Sequence, residues 1–240
     1  MNPHASHIQS SVSVSLMPQR LGGQGSLRVV SESQIPAPGE ELNDGVVAEP
    51  RQASTVIVMR GGDTGLEVLL VKRNPNARFM GGAWVFPGGA VDRDEGTGED
   101  SLRKAAVREV LEEAAVDLGD PADLVPYSRW ITPREVKIRF DTWFFLAHLP
   151  DGAEPKVDGE ECVDLRWETP ASALAAQQAG ELLLVFPTIK HLEQISAFPN
   201  ARALTAHAAS LTVEPVVPRI EMVGEIARVL LPGEPGYDTV

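Results

Sequence analysis

The stretch Phe86–Val116, FPGGAVDRDEGTGEDSLRKAAVREVLEEAAV, is the one on which the reading of this chain turns. It opens on a Pro-Gly-Gly turn after an apolar run and closes on Arg-Glu-Val-Leu-Glu-Glu inside an expected helix, Ser101 to Val116. At the helical spacing of about 100° per residue, Glu109, Glu112 and Glu113 share one arc of about 100°. Ala106, Val107, Val110, Leu111 and Ala114 occupy the neighbouring arc. A helix that buries one flank and gathers three carboxylates beside it is suited to hold something positive. On its own, R-E-x-x-E-E reads more simply as a solvated acidic face. The preceding F-P-G-G favours the first reading, because glycines let the backbone pass close to a helix edge or a ligand.

Working outward on both sides, the order of elements is that of an α/β protein. Ser26–Ser31 is expected to be a short strand, and 35–51, broken by Pro and Gly, an extended connector. Ser54–Arg60 (STVIVMR) and Leu66–Arg73 (LEVLLVKR) flank a Gly-rich turn and read as a hairpin. Trp84–Phe86 reads as a short strand stopped by Pro87. After the helix come strands at Leu124–Ile131, Arg139–Leu149 and Cys162–Glu168. Helices follow at Ala171–Ala179, opened by Thr169-Pro170, and at Pro187–Ile195. Strands are expected at Leu211–Val217 and Ile226–Leu231, then a loose tail from Pro232. Strands interleaved with helices imply a mixed sheet with helices on its faces. Residues 1–25, rich in Ser, Gln and Gly, read as a disordered lead.

Composition narrows the function classes. The 240 residues carry a formal net charge of -13, which argues against a nonspecific nucleic-acid or anionic-membrane binder, since either needs a basic surface. A small anionic substrate remains compatible, because local cations can invert the potential of one cleft. Cys162 is the single cysteine, so neither an intrachain disulfide nor a cysteine metal cage can form. With no membrane-length apolar run and no basic-then-apolar N-terminus, a cytoplasmic protein without a secretory signal is expected. A homodimer is left open.

The 86–116 stretch resembles the Nudix box, G-x5-E-x7-R-E-U-x-E-E-x-G-U with U aliphatic, of the Nudix hydrolases. These cleave diphosphates linked to another moiety, usually with magnesium. Counted from Arg108, the chain matches at Arg108, Glu109, Val110, Glu112, Glu113 and Val116. It departs at Ala115 in the terminal glycine slot, Asp100 in the early glutamate slot and Asp94 in the first glycine slot. Gly89 is the better counterpart of that first glycine, which places extra residues in the loop 92–99. Glu99 or Asp100 could then serve as the early acid. Glu99 is the expected site acid and Asp100 the expected helix cap.

The resemblance implies an α/β/α sandwich over 50–195, with 26–49 as a connector and 196–240 as a C-terminal extension packed on the domain. It implies Glu109, Glu112 and Glu113 as metal ligands with Gly89 and Glu99, the metal being Mg2+ or alternatively Mn2+. Arg108 would orient a glutamate, and Gly88 would approach the phosphates. The spacing R-x3-G-x3-F-P-G-G, from Arg78 through Gly82 to Gly89, is similar to part of a motif in the coenzyme A diphosphatase branch, which also has an extended Nudix box. Arg78 or Arg73 could grip a 3′-phosphate as a fork. The implied activity is hydrolysis of coenzyme A or acyl-coenzyme A to 3′,5′-ADP and a 4′-phosphopantetheine product. The alternatives are another nucleoside diphosphate derivative, such as a dinucleotide or nucleotide sugar, or a noncatalytic binding module. His148, His191 and the tryptophans read as structural, and the run Asp158–Glu161 as a solvated turn that could instead lend an acid to the cleft.

Overall fold

A computed structural model describes residues 26–27, 40–77, 79–223 and 226–239, without the side chains of 26, 27, 40, 41, 222, 223, 226 and 227. The expected lead 1–25 and four residues of the expected strand 26–31 lie outside the described residues. In chain order the strands are β1 (Ser26–Leu27), β2 (Glu40–Glu41), β3 (Arg51–Arg60), β4 (Glu67–Arg73), β5 (Trp84–Val85) and β6 (Gly88–Ala90). Then come helix α1 (Glu99–Ala114) and strands β7 (Val125–Ile131), β8 (Phe140–His148) and β9 (Cys162–Glu168). Helices α2 (Pro170–Gln178), α3 (Phe186–Ile195) and α4 (Ala201–Ala208) precede β10 (Pro215–Val216), β11 (Arg219–Val223) and β12 (Ile226–Leu230).

The central sheet runs β10-β7-β8-β3-β4-β5, with β6 also on β3 and β9 also on β4. Pairs β3–β8 and β10–β7 are parallel and the other pairs of this sheet antiparallel, so the sheet is mixed. Strand β3 shows why both faces must be covered. Its even positions Val56 and Val58 pack with Leu102, Ala106 and Val110 of α1, while Ile57 and Met59 pack with Leu192 and Leu204 of α3 and α4. Side chains alternate across a strand, so a run of consecutive apolar residues requires two cores. The result is the expected α/β/α sandwich.

Several elements depart from the sequence expectation, among them β11, which lies between the two strands expected near the C-terminus. Gly88–Ala90 is a strand rather than a turn, pairing antiparallel with Ala53–Thr55. A β-carbon on Gly88 would lie 2.4 Å from the Ser54 carbonyl oxygen, which is the close approach this glycine permits. Helix α4 stands where no element was expected. Asn200 caps it by accepting the Ala203 N–H at 2.8 Å, and Ala201, Leu204 and Ala208 face the core. The strand expected at Leu211–Val217 shrinks to Pro215–Val216, added in parallel beside Arg129 and Trp130, and Leu211 is exposed. Leu111, expected on the buried flank of α1, is exposed as well.

Candidate active site

Helix α1 begins one residue after Gly98, whose φ of 94° is the left-handed conformation that glycine tolerates. Gly98 is the N-cap, so Asp100 is a first-turn acid rather than the expected cap. At the other end Ala115 adopts φ 53° and ψ 31°, and its N–H bonds the Leu111 carbonyl. This is the slot where the resembled pattern has glycine, and the left-handed geometry supplies the reason for that preference.

Along α1, burial divides the three expected acids. Glu113 is 2% exposed and Glu109 9% exposed, whereas the Glu112 side chain is 58% exposed. Glu113 accepts the Gly88 N–H at 2.9 Å and stands 3.7 Å from Arg73 Nη1. A β-carbon on Gly89 would lie 2.3 Å from Glu109 Oε1. Gly88 and Gly89 therefore let the sheet edge close over both carboxylates. Burial pushes Glu113 up to about 7, opposed by the Gly88 N–H and reinforced by the charge of Glu109. Burial likewise pushes Glu109 up, against the Arg108 guanidinium that bonds it. The buried Cys162 thiol is raised by the same desolvation and then by the charge of Glu113.

Arg108 organises the opposite flank. Its Nη1 donates to Glu109 at 2.8 Å and to Glu112 at 2.9 Å, and its Nη2 donates to the Ala90 carbonyl at 3.1 Å. Its Nε donates to Glu95 Oε1 at 2.9 Å, and Nη2 reaches Glu95 Oε2 at 3.3 Å. Burial pushes Glu95 up, but the Arg108 hydrogen bond and the Asp92 N–H outweigh it, so its carboxyl sits below the usual range. Glu99, expected in this company, is elsewhere. It bonds Arg103 at 2.7 Å, and Arg103 lies over the Phe145 ring while donating to the Leu124 carbonyl at 2.6 Å. The i,i+4 partner holds Glu99 on another flank of the helix, and the loop brings Glu95 to Arg108 instead. Counting G-x5-E forward from Gly89 lands on Glu95, so the extra residues lie between Glu95 and Arg108. That forward count was the signal in the sequence that could have found it.

A chamber of about 550 Å3 opens beside the buried pair, with Arg73, Gly88, Gly89, Glu109 and Glu113 on its wall. Glu161 joins them because Asp158 accepts the N–H groups of Glu160, Glu161 and Cys162 at 3.1, 2.7 and 2.9 Å, which shapes the turn. Arg73 Nε is buried and has no hydrogen-bond partner. Gly82 is not part of the wall; at φ 77° it turns the chain and donates its N–H to the Arg73 carbonyl at 3.1 Å. Arg78 lies outside the described residues.

The model of the NUDIX domain matches residues 50–186 of this chain, a span that takes in β3 through the start of α3. The chain belongs to the Nudix family. It is 29% identical over 187 residues to the provisionally named nudix hydrolase 7 of Caenorhabditis elegans, covering 63% of this chain and 62% of that protein. It is 31% identical over 119 residues to a provisionally named 8-oxo-dGTP diphosphatase of Bacillus subtilis (strain 168), covering 50% of this chain and 66% of that one. The chain thus spans just under two thirds of the length of these curated relatives. The crystal structure of a NUDIX hydrolase from Alicyclobacillus acidocaldarius superposes with a TM-score of 0.60 at 27% identity, over 71% of this chain and 100% of the other.

Nudix hydrolases generally use divalent metals. Among the described residues no three His, Cys, Asp or Glu side chains stand preassembled around one ion position. Arg108 engages one oxygen each of Glu109 and Glu112. The donor chemistry nonetheless fits a hard cation: carboxylate oxygens suit magnesium, and two like-charged buried carboxylates share one cleft. No helix among the described residues is long and apolar enough to cross a membrane.

Proposed function

We propose that this Nudix protein is a metal-dependent diphosphatase, and that its substrate is coenzyme A or an acyl-coenzyme A. The observation that carries the reading is the buried pair Glu109 and Glu113, held beside Gly88, Gly89 and Arg73 on the wall of one chamber. Glu109, Glu112 and Glu113, with the Gly89 backbone, would hold Mg2+ or Mn2+. When bound, the ion supplies charge neutralisation at phosphate oxygens and lowers the pKa of a bound water. Arg108 holds Glu109 in place and Glu95 holds Arg108, a relay that fixes carboxylate orientation. Arg73 brings a guanidinium to the cleft with its Nε uncommitted, which suits a phosphate oxygen. The Gly88 N–H is held by Glu113, so that glycine serves by closeness rather than as a free donor.

The coenzyme A assignment rests on the spacing from Arg78 through Gly82 to Gly89 and on the lengthened loop before α1. The name of the Bacillus subtilis relative points to a nucleoside phosphate instead, which keeps other nucleotide derivatives in the test. The experiment is a magnesium titration of turnover on a panel of coenzyme A, an acyl-coenzyme A, a dinucleotide, a nucleotide sugar and 8-oxo-dGTP. Release of 3′,5′-ADP from coenzyme A above the rest of the panel is expected. Preference for another member overturns the substrate, and no turnover on any member overturns the enzyme.

A further inference from the structure

The C-terminal segment beyond residue 186 falls outside the family match, yet part of it lies on the chamber. Strand β10 joins the sheet edge beside Arg129 and Trp130, and the chain then forms the hairpin of β11 and β12. A clasp sets the base of that hairpin. Arg219 Nη1 donates to the Tyr237 carbonyl at 2.9 Å, its guanidinium stacks 4.7 Å over the Tyr237 ring, and the Tyr237 hydroxyl donates to the Val217 carbonyl at 2.7 Å.

Within the hairpin, sides are assigned by alternation. Ile220 and Val229 are directly opposite one another, and both line the chamber together with Pro218. The next pair, Glu221 and Arg228, is off the chamber and forms its own ion pair at 4.0 Å. Among the described residues, the hairpin thus contributes apolar surface and no charge to the lining. Trp130, Phe140 and Phe186 continue that surface. The Thr132 hydroxyl there is already engaged, donating to the Phe140 carbonyl at 3.3 Å and accepting its N–H at 3.0 Å.

We infer that this hairpin is a specificity wall for an apolar chain carried by the diphosphate substrate, with Ile220 and Val229 packing against the chain while the diphosphate lies toward Glu109, Glu113 and Arg73. Against the hairpin itself, a nucleobase edge would meet proline, isoleucine and valine and find no hydrogen-bond partner there. An acyl chain loses nothing by that environment. The inference rests on the diphosphatase reading of the site and names what the rest of the chamber takes.

The test uses n-alkyl esters of methylenediphosphonate, whose P–C–P bridge cannot be hydrolysed, titrated calorimetrically with magnesium present. For the wild-type protein, affinity should rise by up to about fourfold per added methylene until the chamber is full. In the double variant Ile220→Ser, Val229→Ser the gain should fall to about twofold or less, since the wall no longer offers apolar contact. Ile220→Trp should shift the preferred length to shorter chains, and it decides the matter if circular dichroism shows the double variant unfolded. A flat wild-type series, or a chain-length dependence unchanged in a folded variant, overturns the inference. Chain-dependent binding with no turnover on the nucleotide panel overturns the diphosphatase reading and leaves the wall intact.

Discussion

Glu95 and Glu99 offer a direct test of which acid serves the site. The Glu95 side chain is 12% exposed, bonds Arg108 through both oxygens, and accepts the Asp92 N–H at 2.7 Å. Glu95→Gln preserves shape but removes the charge and sets an amide donor against guanidinium donors. A hydrogen bond to a charged group is worth about 1.5–3 kcal/mol, so destabilisation of that order is expected. Arg108 then loses the anchor that lets it hold Glu109, and loss of such an outer support lowers activity by about 10–100-fold. Glu99 is 59% exposed in an i,i+4 pair with Arg103, a type of contact worth about 0.3–0.5 kcal/mol. Glu99→Gln should therefore leave both stability and turnover nearly unchanged. The assay is kcat/KM on the preferred panel substrate across magnesium concentrations, with urea melts of each variant. Full activity in Glu95→Gln beside a raised magnesium requirement in Glu99→Gln would refute the relay from Glu95 to Arg108 to Glu109.

Two further outcomes follow from single residues. Ala115 occupies the left-handed region, which costs an L-residue about 1–2 kcal/mol, so Ala115→Gly should stabilise the protein by about 1 kcal/mol and raise Tm by about 2–4 °C; an unchanged or lower Tm would show that the strain is compensated. His191 is fully buried, donates Nδ1–H to the Pro187 carbonyl at 2.7 Å and accepts the Ser128 hydroxyl at 2.5 Å on Nε2. Burial pushes its imidazole down to about 4. Between that value and about 6.5 the unfolded chain binds a proton that the folded chain refuses, so the contribution is intact above about pH 6.5 and is lost as pH falls towards 4, by up to about 3 kcal/mol. Urea melts at pH 7 and pH 5 should show a smaller pH loss in His191→Gln than in the wild type, and equal losses would mean that another group carries the effect.

The architecture was legible because it depends on local patterns. Two apolar runs around a glycine turn, an aromatic strand at 139–149 and a helix with a buried flank define a two-faced sheet from periodicity alone. The R-E-V-L-E-E spacing likewise puts Arg108, Glu109, Glu112 and Glu113 on one helix by geometry that no tertiary contact needs to supply. Alanine-rich α4 was missed because two of its three core positions, Ala201 and Ala208, carry little hydrophobic signal, leaving Leu204 alone to mark the buried face.

What the sequence alone determined was the set of charged groups on α1 and the glycines that precede it, since helical period and backbone freedom are properties of the residues themselves. The tertiary structure decided which carboxylates are buried and which acid partners Arg108. Glu113 is distinguished from Glu112 only because Gly88 closes over one and solvent reaches the other. Glu95 displaced Glu99 from the expected place because Arg103, tied to the carbonyl of Leu124, holds Glu99 to its own flank. That choice depends on where a distant segment lies. The same holds for the chamber wall. Val229 reads in sequence as an ordinary residue of the strand expected at Ile226–Leu231 and Ile220 falls in no expected element, and they meet the cleft only because β10 and the Tyr237 clasp bring the hairpin to it. Desolvation and long-range packing set these features, and neither is encoded in the spacing of any one segment.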